Sequence, residues 1–293
     1  KHLNIPKDIF TVMSKHMSVG ILTSGGVCPG VNNAVQHIVA TEKRAGCVVY
    51  GFTDGFKGLN EGCKFRIDTD EPVSILRVSR EPLNIDLAGP SLQTLDRLWC
   101  IGGHGTMTAL KVIAQDPRFD LNLIGIAKSI NNDVPGIRES LGFQTAVHEM
   151  CSVIDRAYIQ ASSSRTLVFV EAPGYRSGAL VRRAGMASFT KCQVVISPES
   201  YEDHIYDVER FFVADGFCVV LVSEGMEYQY IRHHIEHKYG INAVTLKPGF
   251  LINTAPVSVY DTILSQRMVT ESFEYAKTQR HFIRGGSNVI DLV

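Results

Sequence analysis

Leu98-Trp99-Cys100-Ile101 runs into Gly102-Gly103-His104-Gly105-Thr106, and Leu123-Ile124-Gly125-Ile126 runs into Ala127-Lys128-Ser129-Ile130-Asn131-Asn132-Asp133. Each stretch is an apolar run that breaks into a small polar loop. Strand, loop and helix in that order are how an open parallel α/β sheet presents a ligand at the carboxyl ends of its strands. The glycines leave backbone N–H groups bare for an anion, and Lys128 adds a positive charge. These loops hold one acid, Asp133, with a histidine and an asparagine close by.

The same rhythm extends in both directions. Val19–Thr23 predicts a buried strand that breaks into Ser24-Gly25-Gly26-Val27-Cys28-Pro29-Gly30, and a helix follows from Asn32 through Val35, Ile38 and Val39. This loop suits either a phosphate at a helix N-terminus or a tight turn that needs glycine for backbone reasons alone. Cys47–Phe52 is the next strand, and Thr53–Leu59 reads as a turn-rich loop with Asp54 as a turn residue. Arg77 and Arg80 lie on one loop, where they suit a bidentate phosphate clamp or a solvated surface. Leu92–Leu95 reads as the start of a helix, Thr106–Ala114 as a second and Phe143–Tyr158 as a long third. In the second half Leu167–Val170, Val194–Ile196, Phe217–Val222 and Ala243–Leu246 read as strands. Ala179–Phe189 and Asp261–Ala276 read as helices, the latter with Ile263, Leu264 and Met268 inward. The strands are continuously apolar, so both sheet faces are covered by helices.

The chain has 293 residues, enough for two α/β lobes or one large α/β domain. A net charge of −1 leaves no basic field for nucleic acid. No apolar run approaches the roughly 20 residues of a membrane helix. The first residues carry no hydrophobic signal core. Seven cysteines without a C-x-x-C pair read as reduced thiols of a cytoplasmic protein, with Cys28 alone placed where it could be exposed. His233, His234 and His237 suit a wet helix face better than a zinc cluster.

Taken in order, these stations resemble the phosphofructokinases. They are Gly20-Ile-Leu-Thr-Ser-Gly-Gly-x-x-Pro-Gly-x-Asn, Ile101-Gly-Gly-x-Gly-Thr, Lys128-Ser-Ile-x-Asn-Asp, Gly142-Phe-x-Thr-Ala, Val170-Glu-x-x-Gly-x-x-x-Gly, Pro198-Glu and Ser223-Glu-Gly. The resemblance implies an α/β fold of two Rossmann-like three-layer lobes with a cleft between them. Residues 18–160 would form the phosphoryl-donor lobe and 161–275 the sugar-phosphate lobe, with 1–17 and 276–293 as extensions returning to the body or to a partner. It also implies fructose 6-phosphate in the cleft and an oligomer whose neighbouring subunit completes the sugar-phosphate site. Lys128 is similar to the pyrophosphate-dependent and long eukaryotic branch, whereas Gly105 is similar to ATP users.

Carried over residue by residue, the resemblance assigns Gly25, Gly26, Gly103, Gly105, Thr106 and Lys128 to the donor phosphates. Arg80 falls where an arginine stabilises the transferred phosphoryl, Asp133 on the second acid of the catalytic loop, and Ser129 and Glu224 on sugar contacts. Other positions depart from the pattern. His104 stands in place of the magnesium aspartate, so no metal ligand is assigned. Asn131 stands in place of the aspartate that takes the proton from the attacking hydroxyl. Tyr175 replaces an arginine at the reaction centre, and Pro173 a methionine against the sugar. Gly249 and Ile252 fall on a histidine and an arginine that grip the 6-phosphate. Arg165 and Arg176 each lie one residue from a lost arginine position.

Asparagine cannot accept a proton at neutral pH, and a general base is typically worth about 10²–10⁴-fold. Imidazole is a poor ligand for hard Mg²⁺. Phosphoryl transfer rests on positioning and charge stabilisation, so these losses strike the main sources of its rate enhancement. The leading expectation is therefore a catalytically impaired homologue. It would be a regulatory or scaffolding subunit, or such a half of a longer chain, inactive alone and paired with a catalytic paralogue or with itself. It would keep a site for a small phosphate or nucleotide. The alternative is an active 6-phosphofructokinase that uses Mg²⁺ with ATP or pyrophosphate and draws on Asp133 as base. A metabolite sensor without a partner is the third reading.

Overall fold

The computed structural model describes residues 16–68, 76–174, 177–200 and 204–292. Eleven strands form two sheets within these residues. The first sheet is built from β1 (Ser18–Thr23), β2 (Val48–Phe52), β3 (Lys64–Arg66), β4 (Arg97–Gly102), β5 (Asn122–Ala127), β10 (His281–Arg284) and β11 (Val289–Asp291). Its order is β11-β10-β5-β4-β1-β2-β3. The edge strands β3 and β11 run antiparallel to their neighbours, and the five between them are parallel. The second sheet is wholly parallel, ordered β7-β8-β6-β9, from β6 (Leu167–Ala172), β7 (Val194–Ile196), β8 (Cys218–Ser223) and β9 (Val244–Leu246).

Helices cover both faces of each sheet, which is why the central strands are apolar throughout. One face of the first sheet carries α1 (Val31–Arg44), and the other carries α2 (Phe56–Glu61), α3 (Ile85–Leu92) and α4 (His104–Gln115). The second sheet lies between α5 (Phe143–Ser164) with α6 (Ala179–Ala187) and α7 (His204–Asp215) with α8 (Gln229–Tyr239). Helix α5 contributes Ala146, Met150, Ile154 and Ala157 to a single buried cluster that runs from Val19 and Ile21 to Val168 and Val170. The two lobes therefore share one continuous core.

Several boundaries differ from the sequence reading. The helix expected to begin at Leu92 instead ends there. Asn84 caps its start by accepting from Asp86 N and Leu87 N, and it carries Pro90 internally. Helix α2 begins inside the segment read as a loop, at Phe56, after Asp54 and Gly55 both take positive φ. Helix α10 (Val259–Tyr275) buries Leu264 and Met268, but Ile263 points to solvent at 59% exposure. After the short α9 (Gly249–Asn253), α10 crosses back to pack on α1 and β5. Expected to belong to the second lobe, it lies on the helix layer of the first. The segment beyond it supplies β10 and β11, and β10 pairs with β5 from His281↔Leu123 to Arg284↔Ile126. No helix among the described residues is long and apolar enough to cross a membrane.

Candidate functional site

In the first sheet the chain moves from β1 to β2 on one side and returns as β4 on the other. The carboxyl ends of β1 and β4 therefore flank a topological switch point, where open α/β sheets bind ligands. Both glycine loops lie there, and Ser24 N donates to Ile101 O across the gap at 3.0 Å. Gly25 takes φ +95°, a conformation that a side chain would strain, and its N–H donates to Ser79 O at 2.8 Å. Gly102 has no room for a side chain, because a Cβ there would run into the buried Thr106 side chain. That close approach starts α4 directly at the strand end. The first turn of α4 has no side-chain cap at Gly103, so no capping side chain claims its N–H groups, and Gly103, Gly105 and Thr106 of this turn line the adjoining cleft.

Lys128 follows β5 and is 4% exposed. Its Nζ donates to Gly26 O at 2.6 Å and lies 3.3 Å from where a Gly25 Cβ would stand. Burial holds its pKa below the ordinary lysine value. Arg80 brings Nη2 to within 3.6 Å of a Cβ at Gly26. Ser24, Gly25, Arg80, Gly103, Gly105, Thr106 and Asp133 line one cleft of about 700 Å³, together with an apolar flank that includes Phe56, Leu83 and Ile85. Of the expected donor residues, Gly25, Gly103, Gly105 and Thr106 line this cleft, while Gly26 and Lys128, bonded to each other, adjoin it through Gly25. Arg77 does not join them. It takes φ +51°, sits 3.7 Å from Asp54, and lines a separate cleft beside Thr23 and Asn32. The two arginines do not clamp one anion.

The loop after Lys128 is held by its own side chains. Ser129 Oγ donates to Asp133 Oδ1 at 2.5 Å and accepts from Asn131 N at 3.2 Å. Asn131 O accepts from Ser177 Oγ at 2.9 Å, a contact between the lobes. The Asn131 Oδ1 atom is buried and has no hydrogen-bond partner. Asn132 adopts φ +50° and closes the loop through Ser140 N and Arg138 O. His104, the first residue of α4, is exposed.

On the second sheet, β6 and β9 meet at the corresponding reversal. Lys247 Nζ pairs with Glu171 Oε2 at 2.9 Å, and Tyr228 Oη donates to the same oxygen at 2.9 Å. The Glu171 carboxylate raises the pKa of both Lys247 and Tyr228, with burial the larger cause for Tyr228. The sequence reading passed over this trio, because its members are distant in the chain and meet only when β6 and β9 pair. Glu224 is exposed, and its N–H is taken by Ala172 O at 2.8 Å. Gly249 would place a Cβ 3.8 Å from Pro173. Ile252 is fully buried in the main core, so this position offers no group to any ligand. Tyr175 and Arg176 lie outside the described residues. Cys28 is buried, not exposed, and burial pushes its thiol up to about 12. Its Sγ faces Leu141 O at 3.5 Å. His233, His234 and His237 lie along α8.

The phosphofructokinase family model matches residues 18–276. An ATP-dependent 6-phosphofructokinase 3 of Bacteroides thetaiotaomicron is 30% identical over 286 residues, covering 86% of this chain and 83% of the relative. An ATP-dependent 6-phosphofructokinase of Sulfurihydrogenibium sp. is 30% identical over 227 residues, covering 71% and 68%. Among solved structures, the phosphofructokinase of Saccharomyces cerevisiae superposes with a TM-score of 0.84 at 21% identity over 95% of this chain. The Pichia pastoris enzyme in its T-state gives 0.81 at 20% identity over 90%. This chain spans only 43% and 33% of those two longer chains.

Proposed function

Because this chain belongs to the phosphofructokinase family, we propose that it is a catalytically impaired member that acts as a regulatory or scaffolding subunit, or half, and holds a phosphate-bearing ligand in the Gly25–Lys128–Arg80 cleft. Asn131 carries this reading. It occupies the loop position where the family resemblance calls for a proton-accepting carboxylate, and its amide can only donate through nitrogen or offer a weakly basic oxygen. The buried Ile252 and the side-chain-free Gly249 support the same reading on the sugar side, since neither can grip a phosphate. The glycine cradle with Lys128 supports retention of anion binding.

The test is turnover by the purified chain. Incubated with fructose 6-phosphate, Mg²⁺ and either ATP or pyrophosphate, it is expected to form no fructose 1,6-bisphosphate. Clear Mg²⁺-dependent product would sink the proposal. One observation favours a second reading, an active phosphotransferase. Asp133 lines the cleft as a carboxylate and could serve as base. Activity that is present in the native chain and lost in Asp133→Asn would establish that reading. A chain that stays monomeric at all concentrations and with every paralogue would exclude the subunit role.

A further inference from the structure

The family resemblance implies a magnesium ion with the donor phosphates, and the residues at this cleft do not fit one. Mg²⁺ demands a near-octahedral shell of oxygens at about 2.0–2.1 Å, usually anchored by one or two carboxylates. The first residue of α4, His104, is an exposed imidazole between Gly103 and Gly105 of the lining. Asp133 has one carboxylate oxygen committed to the Ser129 hydroxyl. Glu81 lines the same cleft next in sequence to a cation, Arg80. Among the described residues no group of three or more His, Cys, Asp or Glu side chains is placed to hold a metal ion.

What the cleft does offer is cationic side chains: Arg80 lines it, and Lys128 stands against the Gly25 backbone of its wall. Lys128 is buried and reaches the Gly25–Gly26 backbone, and Arg80 reaches the same glycine pair from the other loop. An ammonium and a guanidinium supply the donors and charge that a bridging metal would otherwise give to adjacent phosphate oxygens. They also repel a divalent cation.

We infer that the cleft takes a di- or triphosphate as the metal-free anion, with Lys128 and Arg80 standing in for the divalent cation. This rests on the reading of the cleft as a phosphate site. A ligand complexed with Mg²⁺ carries two fewer negative charges and brings a hydrated metal against two cations, so it binds more weakly. Replacing His104 by a carboxylate would supply the missing oxygen ligand at the start of α4.

Calorimetric titration of the full chain with pyrophosphate and with ATP tests this, once in EDTA and once in saturating MgCl₂ at matched ionic strength. The expected result is binding in EDTA that is about 3- to 10-fold tighter than in Mg²⁺. In His104→Asp the order is expected to reverse, with Mg²⁺ tightening binding; a melting curve confirms that this exposed substitution leaves the fold intact. Native-chain binding that requires Mg²⁺ overturns the inference and leaves the phosphate cleft standing. No binding in either condition overturns the cleft reading and the inference with it.

Discussion

Asp261, in the first turn of α10, accepts three hydrogen bonds at the start of α5. Its Oδ2 takes the Thr145 N–H at 2.7 Å and the Thr145 hydroxyl at 2.5 Å, and its Oδ1 takes Gly142 N–H at 2.9 Å. A fully buried carboxylate from one helix thus caps another that lies 116 residues away in the chain. The cap satisfies two orphan N–H groups and places negative charge at the positive end of the helix that joins the two lobes. Replacing Asp261 by alanine is expected to cost about 2–4 kcal/mol, the sum of a lost cap and stranded buried donors. Urea unfolding monitored by circular dichroism checks this, with an unchanged midpoint as the contrary outcome.

Under the first sheet, Glu42 Oε1 accepts from both Arg97 Nη1 and Trp99 Nε1 at 2.7 Å. The ion pair is almost completely buried, with side-chain exposures of 0% and 9%. Removing one partner leaves the other charge unpaired, so Arg97→Met alone is expected to destabilise by about 3–5 kcal/mol. The double change Glu42→Leu with Arg97→Met should recover only part of that loss, because no lone charge remains but the buried Trp99 indole N–H loses its acceptor. A double-mutant cycle in denaturant reads the difference.

Lys128 offers a separation of stability from binding. Burial lowers its pKa, which means that the charged form is disfavoured in the empty protein. Lys128→Met should therefore leave the melting temperature unchanged or raise it. Pyrophosphate affinity should fall by at least about tenfold, since a charge-assisted donor is lost. A fall in both quantities would show Lys128 to be a structural residue.

His281 begins β10 in the first sheet, and burial followed by the Arg280 charge holds its pKa below the ordinary 6.5. A histidine with a lowered folded-state pKa contributes stability that is fully present above the unfolded value and lost as pH falls toward the folded one. The protein should thus lose stability below pH 6.5, the ordinary histidine value, and His281→Gln should flatten that part of the curve. Melting temperatures measured from neutral to mildly acidic pH follow the effect. Parallel curves for the two proteins would rule His281 out as the source.

Much of the scaffold was legible in local pattern. The runs at Val19–Thr23 and Leu98–Gly102 are apolar on both faces, and each breaks into glycine. That combination specifies a buried parallel strand feeding a helix. Helix α3 was misplaced because Pro90 and Gly89 sit inside it. Proline and glycine normally mark helix ends, and tertiary packing of Ala88 and Leu92 against the first sheet overrides that preference. The Glu171–Lys247–Tyr228 contact was invisible because charged residues 76 apart carry no mutual signal until β6 and β9 pair.

By itself the sequence determined the chemistry that is available: a histidine at position 104, an asparagine at 131, and a lysine beside the glycine loops. Side-chain identity sets which atoms can accept a proton or bind a metal, and no folding changes that. Only the tertiary structure decided which of these groups meet. It sent Arg80 into the cleft and Arg77 to another, buried Cys28 and Ile252, and carried α10 back onto α1. Those outcomes depend on strand order and on packing between residues far apart in the chain, and local periodicity does not encode them.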